Sequence, residues 1–468
     1  MNIKRIYWIC LIIFSTSCSN FLNVKEQGKL IPKTTDDYAL LLHQILHQIE
    51  NGESTSVLLS SDNIANFELF ADDINANLIV STSSDYLYAG RAINYNQKYY
   101  SDIYSVIKDC NIIIDGVTAS TSTDSANNID SNSNNILGAT YTIRAICYYN
   151  LMRMYCVSID NSTINTDLGL QLVDEFNMEE KPPRATLAET IEFIDNDFKT
   201  ALHHGCNEKS LLFTQNVTAA YYARFNFWTE RWQKAIDNAL IAIEHYSILP
   251  YNDYVKTMSE HSPRSSNIII SSFSKISTHG QLLYNLAKQS IKRRAVSMNL
   301  AKLYSISPAD DIRRQINFNN KLITTKSVSS KFRSEELYLI LAESYAHLNE
   351  PSSALKYLNC LRANRLDLGY IPYTTQNLPE VYKQLIQCDA LGTQLNPLMS
   401  AILVERRMEF FAEGDRWFEL KRNGSPEFWV TTDGKKYTNY SYLYTFPIPK
   451  RDVELIPNLL KQNYGYEK

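Results

Sequence analysis

Two stretches of the chain carry the same spacing of small residues, and this spacing constrains the fold most. Ala223 and Ala235 lie 12 positions apart and flank Glu230; Ala342 and Ala354 also lie 12 apart and flank Asn349. Small residues at those places let two antiparallel helices approach closely, as stacked helical repeats require. The spacing predicts helix pairs over 216–229 and 232–246, and over 334–348 and 351–365. Composition agrees. Only 14 of 468 residues are Gly and 14 are Pro, whereas Gly alone makes up about 7% of an average chain. A turn-rich β-sandwich or barrel is therefore disfavoured.

The expected fold class is mainly α, a tetratricopeptide-like helical-hairpin scaffold with long irregular loops and a few short strands. Tyr38, Leu41, Leu42, Ile45, Leu46 and Ile49 fall at helical spacing before Asn51-Gly52. Further helices are read over 100–117 and 136–157. Another is opened by the capping box Thr186-Leu187-Ala188-Glu189 and runs to Leu202. A long charged helix is expected over 397–423. Phe428, Trp429 and Val430 then lead into Asp433-Gly434, a hairpin turn. Residues 53–98, 118–134 and 251–330 read as irregular. The organisation expected is a signal peptide over 1–17, a tether over 18–35 and one domain over 36–468. Within that domain, helical repeats occupy about 36–250 and 331–424, the loop-rich insert 251–330, and the hairpin and tail 425–468.

The amino terminus carries an export pattern. Lys4 and Arg5 precede the apolar run Ile6–Phe14; Ser15, Thr16 and Ser17 are small, and Cys18 follows. Nine apolar residues are too few to span a bilayer, which takes about 20. The pattern looks like a bacterial lipoprotein signal, cut before Cys18 and lipidated on its sulfur. No CxxC pair occurs, and Cys110, Cys147, Cys156, Cys206, Cys360 and Cys388 read as free thiols.

Charge excludes one class of partner. Lys and Arg number 46 against 50 Asp and Glu, a net charge of −4, so no basic field points to nucleic acid. Catalytic signatures such as GxSxG, HExxH and the phosphate-binding glycine loops are absent from the sequence. Glu405, Glu409 and Glu413 share a face of the expected helix and could suggest paired carboxylates. Arg406 and Arg416, each three residues from one of these acids, favour structural ion pairs instead. His43 and His47 have the spacing of zinc ligands, but a solvated face explains them as well. Lys292-Arg293-Arg294 and Arg313-Arg314 read as solvated surface. The residues imply no catalytic group, no metal and no cofactor.

The stretch Glu405–Gly424, ERRMEFFAEGDRWFELKRNG, resembles the signature helix of SusD/RagB-type outer-membrane lipoproteins of the Bacteroidetes. Pro447-Ile448-Pro449, Glu454, Asn458 and Gln462-Asn463-Tyr464-Gly465-Tyr466 resemble that family's ending, with Tyr464 where Pro is usual. The tether CSNFLNV, Tyr104–Asn111, Arg144-Ala145 and Glu336–Glu343 follow in the family's order. The resemblance implies four tetratricopeptide-like units carrying ligand-binding loops. It implies an outward-facing lipoprotein that hands a nutrient to a TonB-dependent transporter barrel of the SusC type, without chemistry. An oligosaccharide is the favoured ligand. A peptide-binding member of the same family, a surface glycosidase and a structural adhesin are the rival readings.

Sugar recognition needs flat aromatic faces and a few polar groups. Trp228 and Trp232 flank a repeat turn and Trp417 lies in the signature stretch, so Trp429 is the one tryptophan left for a ligand. Tyr86, Tyr88, Tyr95, Tyr251, Tyr254 and Tyr284 lie in the segments read as irregular and complete the candidate set.

Overall fold

The computed structural model describes residues 32–53, 57–79, 88–93, 99–122, 130–177, 182–259, 265–272, 277–328, 331–432, 435–456 and 459–466. Helix α1 (Thr35–Glu50) starts at a capping box in which Thr34 and Asp37 satisfy each other's backbone N–H groups. Its apolar stripe, Leu42, Ile45, Leu46 and Ile49, is buried. Then come α2 (Ser61–Phe70), β1 (Ile74–Ile79) and the single turn α3 (Ala89–Ala92). The described part of the segment 53–98 is thus more regular than its polar composition suggests. Side-chain caps rather than periodicity set the start of α2: Ser60 Oγ and the Ser60 N–H both bind Asn63 Oδ1, at 2.8 and 3.1 Å.

Helix α4 (Tyr99–Ser122) and α5 (Ser131–Tyr155), the latter capped by Asp130, extend into both ends of the stretch 118–134 expected to be a loop; residues 123–129 of it lie outside the described residues. The short strands β2 (Leu168–Gln171) and β3 (Arg184–Thr186) pair antiparallel before α6 (Leu187–His204). The Thr186–Glu189 capping box opens α6 as read from sequence, and Gly205, at φ 68°, closes it.

The two expected hairpins form: α7 (Gln215–Trp228) with α8 (Trp232–Ile243) and, later, a second pair described below. The insert read as irregular holds α9 (Tyr251–Ser259), β4 (Ile268–Ser271), α10 (Thr278–Lys292), β5 (Arg294–Val296), α11 (Met298–Leu303) and α12 (Arg313–Asn317). Its many Ser, Lys and Arg residues hid these elements because several of the basic side chains point inward. Arg294 is 1% exposed and Arg313 0%, which corrects the reading of these two residues as solvated surface; Arg314 is exposed as read and Lys292 and Arg293 are half-buried.

Strand β6 (Lys331–Arg333) pairs with β4 and leads into α13 (Ser334–His347) and α14 (Pro351–Ala363), the second hairpin. Ala223, Ala235, Ala342 and Ala354 are each 0% exposed, so the small residues lie at the close approach that the spacing predicted. Both turns need a left-handed residue: Glu230 has φ 59° and Asn349 φ 60°. Helix α13 also packs on α8, which stacks the two hairpins into one layer.

The charged segment 397–423 is two helices, not one. Asn396 caps α15 (Pro397–Glu409), the chain turns at 410–414, and α16 (Asp415–Arg422) follows. Ala412 at φ 62° and Gly414 at φ 79° make a continuous helix impossible there. The hairpin of β7 (Phe428–Thr432) and β8 (Lys435–Asn439) and the last helix α17 (Lys450–Leu455) complete the chain. All six cysteines beyond the amino-terminal segment are free thiols.

The break at 410–414 redirects the acid pairing. Glu409 binds Arg333 at 2.8 Å, Arg365 at 3.0 Å and Arg313 at 3.4 Å. Glu405 meets Arg313 and Arg362, and Glu413 meets Lys326 and Arg333. The expected neighbours are engaged elsewhere, Arg416 with Asp72 at 2.7 Å and Arg406 with Glu419 at 3.6 Å. Structural pairing stands, with different partners. Burial favours the neutral acid, but three guanidinium groups hold the Glu409 carboxyl well below the usual range. These carboxylates lie inside the core, with Glu405 4% and Glu409 0% exposed, so they form no open acid–base cleft.

Candidate functional site

Two surfaces beside the helical layer are candidate sites. The first joins β1, α3 and the β7–β8 hairpin. The hairpin register pairs Trp429 with Thr438 and Val430 with Tyr437. Side chains alternate across a strand, so Trp429 and Tyr437 project to opposite faces. On the inner face the Tyr437 ring lies 4.4 Å from Tyr88 at 33°, fastening the hairpin to the start of α3. Asn439, 1% exposed, donates to the Phe70 carbonyl at 3.4 Å and holds the other end of β8. On the outer face Trp429 is 58% exposed, and Lys436 Nζ stands 5.0 Å from its ring centroid. An indole face on a fastened hairpin, beside a flexible ammonium, can stack on a flat ligand and donate to its oxygens.

The sequence candidates divide on burial. Trp429 and Tyr88 share this region, with Trp429 open and Tyr88 half-buried. Tyr86, Tyr95 and Cys18 lie outside the described residues. Tyr251 is half-buried at the start of α9. Tyr254 is a correction: it is 0% exposed, with the Arg365 guanidinium 4.2 Å from its ring, and α9 is amphipathic rather than irregular. Tyr284 is corrected likewise, because at 5% exposure it belongs to the buried stripe of α10 with Ala287 and Ile291. Trp228, Trp232 and Trp417 are buried, as read from sequence. His47 interacts with Asn51 at 2.9 Å, and His204 Nδ1 with Asn134 Oδ1 at 2.8 Å.

The second surface is a cleft of about 750 Å³. It opens between residues 157–167, the turn 389–392, the end of α16 and the tail residues Tyr442, Thr445 and Tyr464. Tyr464 is 79% exposed and Tyr440, stacked on Tyr442 at 5.9 Å, is 49% exposed. Glu230 reaches the cleft from the first repeat turn and accepts from Asn161 Nδ2 at 3.0 Å; burial pushes its carboxyl up to about 7. Lys421 is fully buried, its amine donates to the Arg153 and Cys156 carbonyls, and burial pushes it down to about 7. Sequence reasoning missed Tyr437, Tyr440 and Tyr442. The Asp433-Gly434 pair, itself outside the described residues, was the available signal for Tyr437, since a two-residue hairpin loop read from sequence implies a register that places Tyr437 opposite Val430.

A family model described as "SusD family" matches residues 317–466, and one described as "Starch-binding associating with outer membrane" matches residues 20–227. The chain belongs to the SusD/RagB family. Solved SusD-type structures share its fold over nearly its whole length. A putative sugar binding protein from Bacteroides vulgatus is 19% identical, with a TM-score of 0.70 over 94% of this chain and 100% of that one. A SusD superfamily protein from Bacteroides thetaiotaomicron is 18% identical, with a TM-score of 0.67 over 92% and 99%. A laminarin binding SusD-like protein is 14% identical, with a TM-score of 0.57 over 92% and 99%. No curated protein matches the chain by sequence. Among the described residues no helix is long and apolar enough to cross a membrane.

Proposed function

We propose that this SusD/RagB protein is a cell-surface lipoprotein that captures an oligosaccharide and passes it to a TonB-dependent transporter barrel. Residues 36–468 act as one domain, held to the outer membrane through a lipid on Cys18. The observation that carries the reading is Trp429: an indole 58% exposed on a hairpin whose opposite face is fastened by Tyr88 and Tyr437. An immobilised aromatic face loses little freedom when it meets the CH face of a sugar ring. Carbohydrate-binding SusD-type proteins of the same fold support the ligand class. The family description that names outer-membrane association supports the location. Capture requires no bond to break, and the work of the site is positioning.

The experiment is a binding screen of the mature chain against neutral oligosaccharides and, in parallel, short peptides. Saturable binding of a glycan that is weakened by Trp429→Ala supports the proposal. Binding of peptides alone overturns its ligand class. Release of sugar from the panel by the purified protein overturns its passive mechanism.

A further inference from the structure

The 750 Å³ cleft shares no residue with the Trp429 surface, and its chemistry differs. Its size is that of a small-ligand pocket. Several of its side-chain hydrogen-bond donors are already engaged within the protein. Ser158 Oγ and Ser425 Oγ both donate to the Lys421 carbonyl, at 2.8 and 3.0 Å, and Thr163 Oγ1 donates to Asp167 Oδ2 at 2.7 Å. Each of these hydroxyls has spent its single proton. Lys421 has committed its amine to two backbone carbonyls. Arg422 is paired with Glu343 at 2.6 Å and with Glu419 at 3.2 Å.

The acceptors remain open. Asp160 uses Oδ1 to hold the Ser162 N–H and hydroxyl, and Asp167 uses only Oδ2, so among the described residues each keeps one oxygen without a hydrogen bond. Asp389 is the sharpest case. It is 8% exposed and lines the cleft. The backbone N–H groups of Leu391 and Thr393 fix its Oδ1 at 3.0 and 2.9 Å. Its Oδ2 accepts no hydrogen bond among the described residues, and His347 Nδ1 stands 4.0 Å away. A nine-tenths buried carboxylate with one oxygen pinned and the other open is a preorganised acceptor. Tyr464 adds an exposed aromatic face at the rim.

We infer that this cleft is a second saccharide site, built for sugars rich in donors, that favours amino sugars carrying a charged amine and rejects acidic sugars. Sugar hydroxyls and ammonium groups can donate to the open oxygens of Asp160, Asp167 and Asp389. A uronate or sulfate would bring further acceptors to an acceptor-lined wall, and like charges repel across such a surface.

The test is titration calorimetry on the full mature protein with three tetrasaccharides: the β-1,4 glucosamine tetramer, cellotetraose and tetragalacturonate. The glucosamine tetramer should bind about tenfold more tightly than cellotetraose at low salt, with the preference shrinking as salt screens the carboxylates. Tetragalacturonate should give no binding. Asp160→Asn with Asp167→Asn should erase the amine preference. Tyr464→Ala, at a surface position with little bearing on folding, should weaken glucosamine and glucose tetramers together. Trp429→Ala should leave the preference intact, which separates this site from the one proposed above. Absence of glucosamine binding, equal binding of tetragalacturonate, a preference that survives the double variant, or binding of both tetramers unchanged by Tyr464→Ala would overturn the inference.

Discussion

Arg407 Nε donates to Asp73 Oδ1 at 2.7 Å across 334 positions of sequence. Arg407 also reaches Asp72 at 3.0 Å, which Arg416 binds at 2.7 Å. These ion pairs join the two parts of the chain matched by separate family models, and they tie α15 and α16 to the segment between α2 and β1. The ERRMEFFAEGDRWF stretch is therefore a clamp of the fold, with its acids and bases spent on structure.

Glu409 is the centre of that clamp. Glu409→Gln would leave Arg313, Arg333 and Arg365 short of one buried negative charge, and removing one partner of a buried ion network costs about 3–5 kcal/mol. Urea unfolding of the variant should show that loss. The wild-type term has a defined pH dependence. Because the folded carboxyl lies below its ordinary value of 4.5, its stabilisation is complete above that value and is lost as the pH falls beneath it.

Glu68 should behave in the opposite sense. It is 0% exposed, accepts from the Gly414 N–H at 2.7 Å, and is pushed up to about 8 by burial and then by the nearby Asp73 charge. Between 4.5 and about 8 the folded state holds a proton that the unfolded state has released. Stability therefore falls as the pH rises through that window. Glu68→Gln removes the titration, so its stability advantage over the wild type should grow from pH 5 to pH 8 in parallel urea curves. A constant difference would contradict the assignment.

Glu230 holds a left-handed turn at φ 59° where a side chain is strained. Glu230→Gly should raise the unfolding free energy by about 1 kcal/mol, since glycine adopts this region without the Cβ penalty. Asn349→Gly, at the equivalent turn of the second hairpin, should gain less, because asparagine already tolerates that backbone. Thermal melts of the two variants would rank them.

Cys18→Ala should release the protein from the membrane fraction while leaving ligand affinity unchanged. Retention of the variant in the membrane fraction would contradict the lipid anchor.

The repeat hairpins were legible because their signal is local, an alanine spacing across a turn, and the start of α6 because its capping box is local too. The α1 stripe and the β7–β8 hairpin were legible for the same reason. What escaped was the inside of the insert. A sequence rich in Ser, Lys and Arg looks solvated unless one knows that Arg313 will meet Asp311, Glu405 and Glu409, and those contacts close only in three dimensions. Tyr254 was misplaced for that reason too, because its neighbour Arg365 comes from the end of the second hairpin. Trp429 was picked out by elimination, since every other mature tryptophan sat in a packed element. Its link to Tyr88 needed the strand register as well as the fold.

The exposure of Trp429 also permits the most direct test of ligand capture. Trp228, Trp232 and Trp417 are buried, so acrylamide quenching of the mature protein reports chiefly on Trp429. Titration with a glycan that binds in the screen should protect the emission from quenching, with the same midpoint as binding, and Trp429→Phe should abolish the protected component. Saturable glycan binding that leaves Trp429 as open to acrylamide as in the free protein would contradict the account.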